Sequence, residues 1–450
     1  MSEAGGPVVS SVLGRLGVDT RERQSWVLFD FGDNAFATVV NVILQTYFIE
    51  VAGVTLADGR ALVYWSFTVA LSFGIFALLS PVLGAAADHL ERSRAFLGSF
   101  TVLGVVATAL LFLTGEGDWL AVAALFLLAN IGFSGARLFY NSLLTGVASE
   151  ETMDRVSTAG YAIGYLGGGV LLTGGAVVLG TPETFGIADR AAASRALLLV
   201  CAAWWAVFAV PLFLYVPEPE RDTARDLQER PVRASFERLR DTYREVRTYR
   251  VTFLFLAGFF FYASGITAII NLAAAYASDI GLGQAEIIGA LVMVQFVGIP
   301  CAFAFGQFAD RFSTKRMILL GLAVYTLVSV GGIGVRTTEQ FFVLALGVAL
   351  VQGGTQALSR SLFGSLTPQH KSAEFFSFFS VVNAVSSILA PTLFGLVGLV
   401  AGSNRVAIAS LSLFFVVGAV ILLRLDVEHG RQVARERTED VETPATVPTD

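Results

Sequence analysis

Twelve apolar runs, each close to the ~20 residues a helix needs to cross a ~30 Å hydrocarbon layer, constrain this chain more than any other feature. Bounded by polar, Gly and Pro residues, they fall at 26–49, 61–86, 94–114, 119–141, 158–180 and 195–216, then at 251–277, 285–308, 317–335, 340–361, 374–400 and 405–425. Of the 450 residues, 55% are hydrophobic and 15% charged, against about 25% charged in a soluble domain. A soluble core cannot bury that excess, whereas twelve spans use about 240 apolar residues. The reading is an all-α membrane protein: twelve transmembrane helices in two six-helix repeats.

Six spans lie on each side of the stretch 217–250, which holds nine arginines and eight acids and reads as a solvated, partly helical linker, amphipathic over 236–249. The expected organisation is a cytoplasmic segment 1–24, a first half 25–216, the linker 217–250, a second half 251–425 and an acidic cytoplasmic tail 426–450. No small-residue cleavage site follows the first span, which argues against a removable signal peptide. Arg92, Arg94, Arg137, Arg155, Arg311, Lys315, Arg316, Arg360 and Lys371 fall in one set of loops and adjoining span ends. The other set holds Arg60, Arg190, Arg195, Arg336 and Arg405. The basic excess puts both termini in the cytoplasm and the chain in the cytoplasmic membrane.

Several chemistries drop out. The net charge of −6 offers no basic field for nucleic acid. Cys201 and Cys301 sit inside apolar runs, and His89, His370 and His429 are scattered, so neither a disulfide framework nor a metal cluster is expected. No phosphate-binding Gly-rich loop precedes either lysine, and no nucleophile stands beside a base. The expectation is a non-enzyme without cofactors, driven by gradients, working as a monomer on a small-molecule solute in the bilayer, with protons as the candidate coupling ion.

The two halves repeat one another. Gly84-Ala-Ala-Ala-Asp88 after the second span recurs as Gly306-Gln-Phe-Ala-Asp310 after the eighth, each followed by a basic residue (Arg94, Arg316) six positions past the Asp. Tyr140-Asn141-Ser142-Leu143 ending the fourth span is echoed by Ser359-Arg360-Ser361-Leu362 ending the tenth. Paired six-span repeats signal a carrier that rocks one half against the other around a midplane site.

The repeated Gly-x-x-x-Asp loop resembles the hallmark loop of the major facilitator superfamily, the second copy (Gly306 to Arg316) more closely. Ser25-Trp26-Val27-Leu28-Phe29-Asp30-Phe31-Gly32-Asp33-Asn34, Gln356-Ala357-Leu358-Ser359-Arg360-Ser361-Leu362-Phe363 and Gly164-Tyr165-Leu166-Gly167-Gly168 resemble its vacuolar effluxer-like family. That family includes the fungal autophagy-linked vacuolar amino-acid effluxers and prokaryotic relatives. Phe31 and Asp33 depart from the common Trp and Asn, and His89 and Glu91 from the loop pattern. The resemblance implies efflux of a small polar solute, amino-acid-like, by alternating access. It also implies a cytoplasmic gate locked by Asp88, Arg92, Asp310 and Arg311, with Gly84, Arg94, Gly306 and Arg316 of the same loops as further gating candidates; a purely topogenic role for the charges is the alternative.

Polar faces inside apolar helices supply the other candidates. At 100° per residue Asp30, Asn34, Asn41 and Gln45 fall within about 60° of one another, with Asp33 beside them. An acid inside the bilayer costs at least ~2.5–3.5 kcal/mol, which marks it as functional. Capping, or pairing with a loop arginine, remains the alternative for Asp30 and Asp33. Arg137 and Asn141 share a face with Asn130 and Ser134, Arg137 either pairing with those acids or snorkelling. Gln352 and Gln356, Tyr165, Asn271 and Asn383 complete the substrate-binding or coupling candidates. Packing is the alternative for the isolated amides, and for the four-residue glycine ladder Gly160, Gly164, Gly168. A proton-coupled carrier, an uncoupled facilitative carrier and a transporter-fold sensor or scaffold all fit this sequence.

Overall fold

The computed structural model describes residues 14, 16–56, 60–90, 92–218, 249–279, 281–401 and 403–442, all-helical with no strand among them. Helix α1 begins at Arg21–Val39 and continues through a π-turn, Val40–Leu44, the short Gln45–Tyr47 and a second π-turn, Phe48–Ala52. The first half is completed by α2 (Arg60–Leu90), α3 (Ser93–Leu110), α4 (Trp119–Val147), α5 (Met153–Gly180) and α6 (Arg190–Tyr215). The second half contains α7 (Arg250–Asp279), α8 (Gln284–Phe312), α9 (Thr314–Gly331), α10 (Thr338–Ser365), α11 (Ser372–Ala401) and α12, in two pieces, Asn404–Ser410 and Ser412–Leu423.

Eleven of these helices are apolar and long enough to cross a membrane. The remaining one is α1, whose Arg21, Glu22, Arg23, Asp30, Asp33 and Glu50 lower its hydropathy. It packs against α5 and α6, and its Trp26, Phe29, Asp30, Asp33 and Leu44 are fully buried. Protein rather than lipid surrounds these side chains, which is how a membrane helix tolerates carboxylates.

Each half has its own apolar core: Trp26, Phe139 and Trp205 belong to one, Tyr262, Phe363 and Phe415 to the other. Helices α3, α6, α9 and α12 form the outer wall, with Val102, Val207, Leu327 and Leu413 turned outward. The halves meet along α2 with α11, α5 with α8 and α10, and α4 with α11. Both motif glycines stand on that seam. A Cβ on Gly84 would lie 2.5 Å from the carbonyl oxygen of Ala373 in α11, and one on Gly306 would run into the Thr158 hydroxyl of α5.

Most of the charged linker, residues 219–248, lies outside the described residues, including the expected amphipathic stretch up to Thr248. The tail differs from a plain acidic extension: Val427–Glu442 form a helix, α13, on the bundle end where α1 begins.

Candidate solute and coupling site

Asp30 and Asp33 lie three residues apart on α1, so both face α4 and α5. Arg137 of α4 reaches both, its two terminal nitrogens 3.1 Å from Asp30 Oδ1 and 3.4 Å from Asp33 Oδ1. Tyr140, one turn further along α4, donates its hydroxyl to Asp30 Oδ2 at 3.0 Å. Trp26 stacks on the Tyr140 ring at 4.3 Å and donates its indole N–H to the Tyr140 carbonyl. The close approach of α1 and α5 needs Gly160, where a Cβ would sit 2.9 Å from Asp30 Oδ2.

The second half completes the cluster with Arg360, only 1% exposed. Its guanidinium reaches Asp30 Oδ2 at 3.4 Å, Asn141 Oδ1 at 3.2 Å, Ser157 Oγ at 2.9 Å and the Ser157 carbonyl at 2.8 Å. The rings of Trp26 and Tyr161 lie 4.7 and 4.6 Å from it, close enough for cation–π attraction. Two carboxylates and two guanidiniums thus make a buried, neutral cluster that crosses the seam. Asp30 is saturated by three donors. Asp33 Oδ2 is buried with no hydrogen-bond partner among the described residues.

Beside this cluster lies a cavity of about 240 Å³ in the middle of the bundle. Polar side chains lining it are Ser134, Arg137, Asn141, Thr267, Gln356, Ser359, Ser380 and Asn383; rings lining it include Phe73, Phe133, Tyr161, Phe259, Tyr262 and Phe379. Arg137, 20% exposed, is the cluster member that turns a guanidinium toward it while holding both acids.

On the side of the cavity toward α13, layers of polar contacts join the halves. Asp154 of α5 accepts hydrogen bonds from Ser361 and from Thr314, the latter at 2.6 Å. Thr145 donates to Ser372 at 2.9 Å, and Ser372 in turn to the Ser142 carbonyl at 2.8 Å. Further out, Asp310 pairs with Arg155 at 2.5 Å. Asp88 of α2 caps α11 from across the seam, accepting from the backbone N–H of Ala373 at 3.2 Å and of Glu374 at 2.6 Å. The two motif acids therefore make related contacts, each at the first turn of a helix of the opposite half.

Other candidates lie elsewhere. Arg94 is held within its own half by Glu218 and the Val216 carbonyl, and Arg92, Arg311 and Arg316 are exposed, Arg311 over the Phe312 ring. Among the described residues none of these arginines pairs with an acid across the seam, because Arg94 is engaged within its own half and the other three face outward. Asn34 is buried against α5 and accepts from Thr38, which accepts from Gln295 of α8 at 3.3 Å. Tyr165 and Gln352 are buried where α5 meets α8 and α10, away from the cavity lining. Asn271 is exposed, and Asn130 donates to Ser72 at 2.8 Å as interhelical glue. The side chain of Asn41 lies outside the described residues, and Gln45 is half-buried beyond the first π-turn, which breaks the 100° register of the stripe.

Arg360 and Asp154 were not singled out as site residues in the sequence. Arg360 reads as a span-end charge, yet it continues the i, i+4 series of Gln352 and Gln356, and that continuity is the signal the sequence offers. Asn141 and Arg360, 219 residues apart in the echoing span ends, touch at the seam.

Residues 62–435 match the family model described as "Vacuole effluxer Atg22 like". The chain belongs to the Atg22-like vacuole effluxer family. It is 34% identical over 428 residues to the Bacillus subtilis protein named as the uncharacterized MFS-type transporter YxiO, covering 93% of this chain and 98% of that one. It is 28% identical over 320 residues to autophagy-related protein 22 of Yarrowia lipolytica, covering 64% of this chain and 53% of the fungal one. Among solved structures, the transporter FucP in its outward conformation superposes with a TM-score of 0.66 at 13% identity over 89% of this chain and 97% of FucP, which establishes the fold. This Atg22-like chain is thus a multi-pass membrane transporter of the major facilitator type for a small-molecule solute, and not an enzyme.

Proposed function

We propose that this transporter moves an amino-acid-like solute together with a proton, by alternating access across the cytoplasmic membrane, with the α13 end in the cytoplasm. The observation that carries the reading is Arg137, shared between two buried aspartates and an amphiphilic cavity. A solute carboxylate arriving in the cavity competes for the guanidinium, the natural fork for a carboxylate. The amide oxygens of Gln356 and Asn383 supply acceptors for an ammonium group, and the surrounding rings accept an apolar side chain.

Asp33 is the coupling group in this scheme. Asp30 keeps Arg360 and Tyr140 when Arg137 turns to the solute, whereas Asp33 has no second donor. A buried carboxylate stripped of its cation is strongly unfavourable, and taking up a proton relieves it. Solute and proton therefore favour each other's binding, and the solute follows the proton. Efflux, the sense of the family's name, then holds where the compartment being emptied is the more acidic one. Basic residues concentrated toward the α13 end support the orientation, and Asp88, Asp310 and Asp154 are assigned to the gate on that side.

Uptake of a labelled amino-acid mixture into proteoliposomes, with and without an imposed proton gradient, tests this. The native protein should accumulate solute when the gradient is present. Asp33→Asn should still equilibrate solute but no longer concentrate it. Undiminished accumulation in Asp33→Asn would remove Asp33 from the coupling role. Gradient-independent flux in the native protein would favour an uncoupled facilitative carrier. Absence of flux for every component would remove amino acids from the reading and favour another solute or a sensor role.

A further inference from the structure

Helix α13 is seated on the second half and touches the first half through charge. Its Gly430 packs on Leu366 and Val251, so closely that a Cβ there would approach each to 2.6 Å, and Ala434 is buried. The Gln369 backbone N–H donates to Thr438 at 3.3 Å, and Arg431 donates to Ser365 at 3.3 Å. The junction that leads into α13 is pinned by Lys315, which donates to the carbonyls of Leu423 and Leu425 at 2.9 and 2.8 Å. From this seat two arginines reach across the seam to one carboxylate, Glu150, in the loop between α4 and α5. Arg435 lies 2.9 Å from it and Arg431 3.4 Å.

We infer that α13 is a strap that holds the transporter shut at this end, with Glu150 as its catch. The inference rests on the alternating-access reading and extends it to regulation. Because the strap rides on the second half, opening this end by rocking the halves apart must pull Glu150 away from both guanidiniums at once. Glu150 and Arg435 are 31% and 60% exposed, so the catch lies in water, beyond the apolar core. It is therefore screened by salt over about a Debye length, and any change in charge at Glu150 or on the strap shifts the ratio of closed to open molecules. The transporter would then be set faster or slower from its own terminal segment, without alteration of the cavity.

The test measures conformation directly, so its result is separable from the identity of the solute and from coupling. Full-length protein in nanodiscs, with Cys201→Ala and Cys301→Ala, carries spin labels at Arg92→Cys and Arg316→Cys, exposed positions on the first and second half at this end. Pulsed dipolar spectroscopy then reads the distance distribution without added solute. Glu150→Gln should raise the population at the longer distance several-fold, and Arg431→Gln with Arg435→Gln should do the same. The charge-reversed combination of Glu150→Arg with Arg431→Glu and Arg435→Glu should restore the native distribution. An unchanged distribution in the neutral variants, or a shifted one that the reversed combination fails to restore, would overturn the strap.

Discussion

Arg137 and Arg360 divide the labour at the buried cluster, although both are guanidiniums facing Asp30. Arg137 faces the cavity and holds the acid that lacks a second donor; Arg360 is closed off and ties Asp30 to Ser157 and Asn141 across the seam. Removing one member of a buried ion cluster leaves an uncompensated charge, at a cost of about 3–5 kcal/mol, whereas removing opposite charges together costs far less. Arg137→Gln should therefore lower stability by about that amount, and adding Asp33→Asn should recover much of it. Thermal unfolding of the two single variants and the double variant in detergent checks this; additive losses would show that the two side chains are not energetically coupled. Asp30 and Arg137 were legible in the sequence as charges inside an apolar run. That Asp33 keeps one oxygen without a partner depends on where Tyr140 and Arg360 arrive, which no local pattern encodes.

At the scale of elements, the repeated Gly-x-x-x-Asp loops act through helix ends and close packing. The N-terminal N–H groups of a helix lack intrahelical acceptors, and those of α11 receive theirs from Asp88 of the opposite half. Gly84 lets α2 come near enough for that cap to form. Gly74 on the same helix has open space where a Cβ would stand, which makes it a matched control. Gly84→Ala should loosen the closed end and raise the alkylation rate of a cysteine at Thr145 several-fold. Gly74→Ala should leave that rate unchanged. Equal rates in the two variants would mean that the α2–α11 approach does not keep this end shut. The glycine and aspartate of both motifs were visible in the sequence, but the four arginines grouped with them stand apart from the seam. Recurrence in sequence marks a repeated loop, and only the packing tells which of its side chains turn inward.

Across the whole molecule, the α13 end is closed by contacts between halves that each have a separate core. Rocking two self-contained bodies about such a seam requires the polar layers to part together while each core stays intact. Thr145 and Ser372, whose hydroxyls are 2.9 Å apart, lie in one of these layers. A disulfide formed between Thr145→Cys and Ser372→Cys should abolish transport, and reduction should restore it. Transport that continued in the oxidised, cross-linked protein would show that this seam does not open in the cycle. Catalysed cross-linking followed by flux measurement with and without reductant distinguishes these outcomes.

The membrane as solvent, with eleven helices long and apolar enough to cross it among the described residues, was legible in the sequence alone, because length and apolarity fix whether a run can cross a bilayer. Helix α1, lowered in hydropathy by its charges, is accommodated by burial against α5 and α6. The family was legible in the same way, from local strings that need no partner to be recognised. The tertiary structure decided what the polar residues do. Of the stripe read on α1, Asp30 and Asp33 enter an ion cluster, Asn34 enters packing, and Gln45 is carried out of register by a π-turn. Arg360, read as a span-end charge, is the second half's contribution to that cluster, and Val427–Glu442 of the acidic tail form a helix seated on the second half whose arginines reach Glu150 across the seam. For the buried charges of the cluster the physical reason is a single one. A carboxylate or guanidinium in a low-dielectric interior is governed by the partners within a few ångströms, and here those partners are 104 to 330 residues away along the chain.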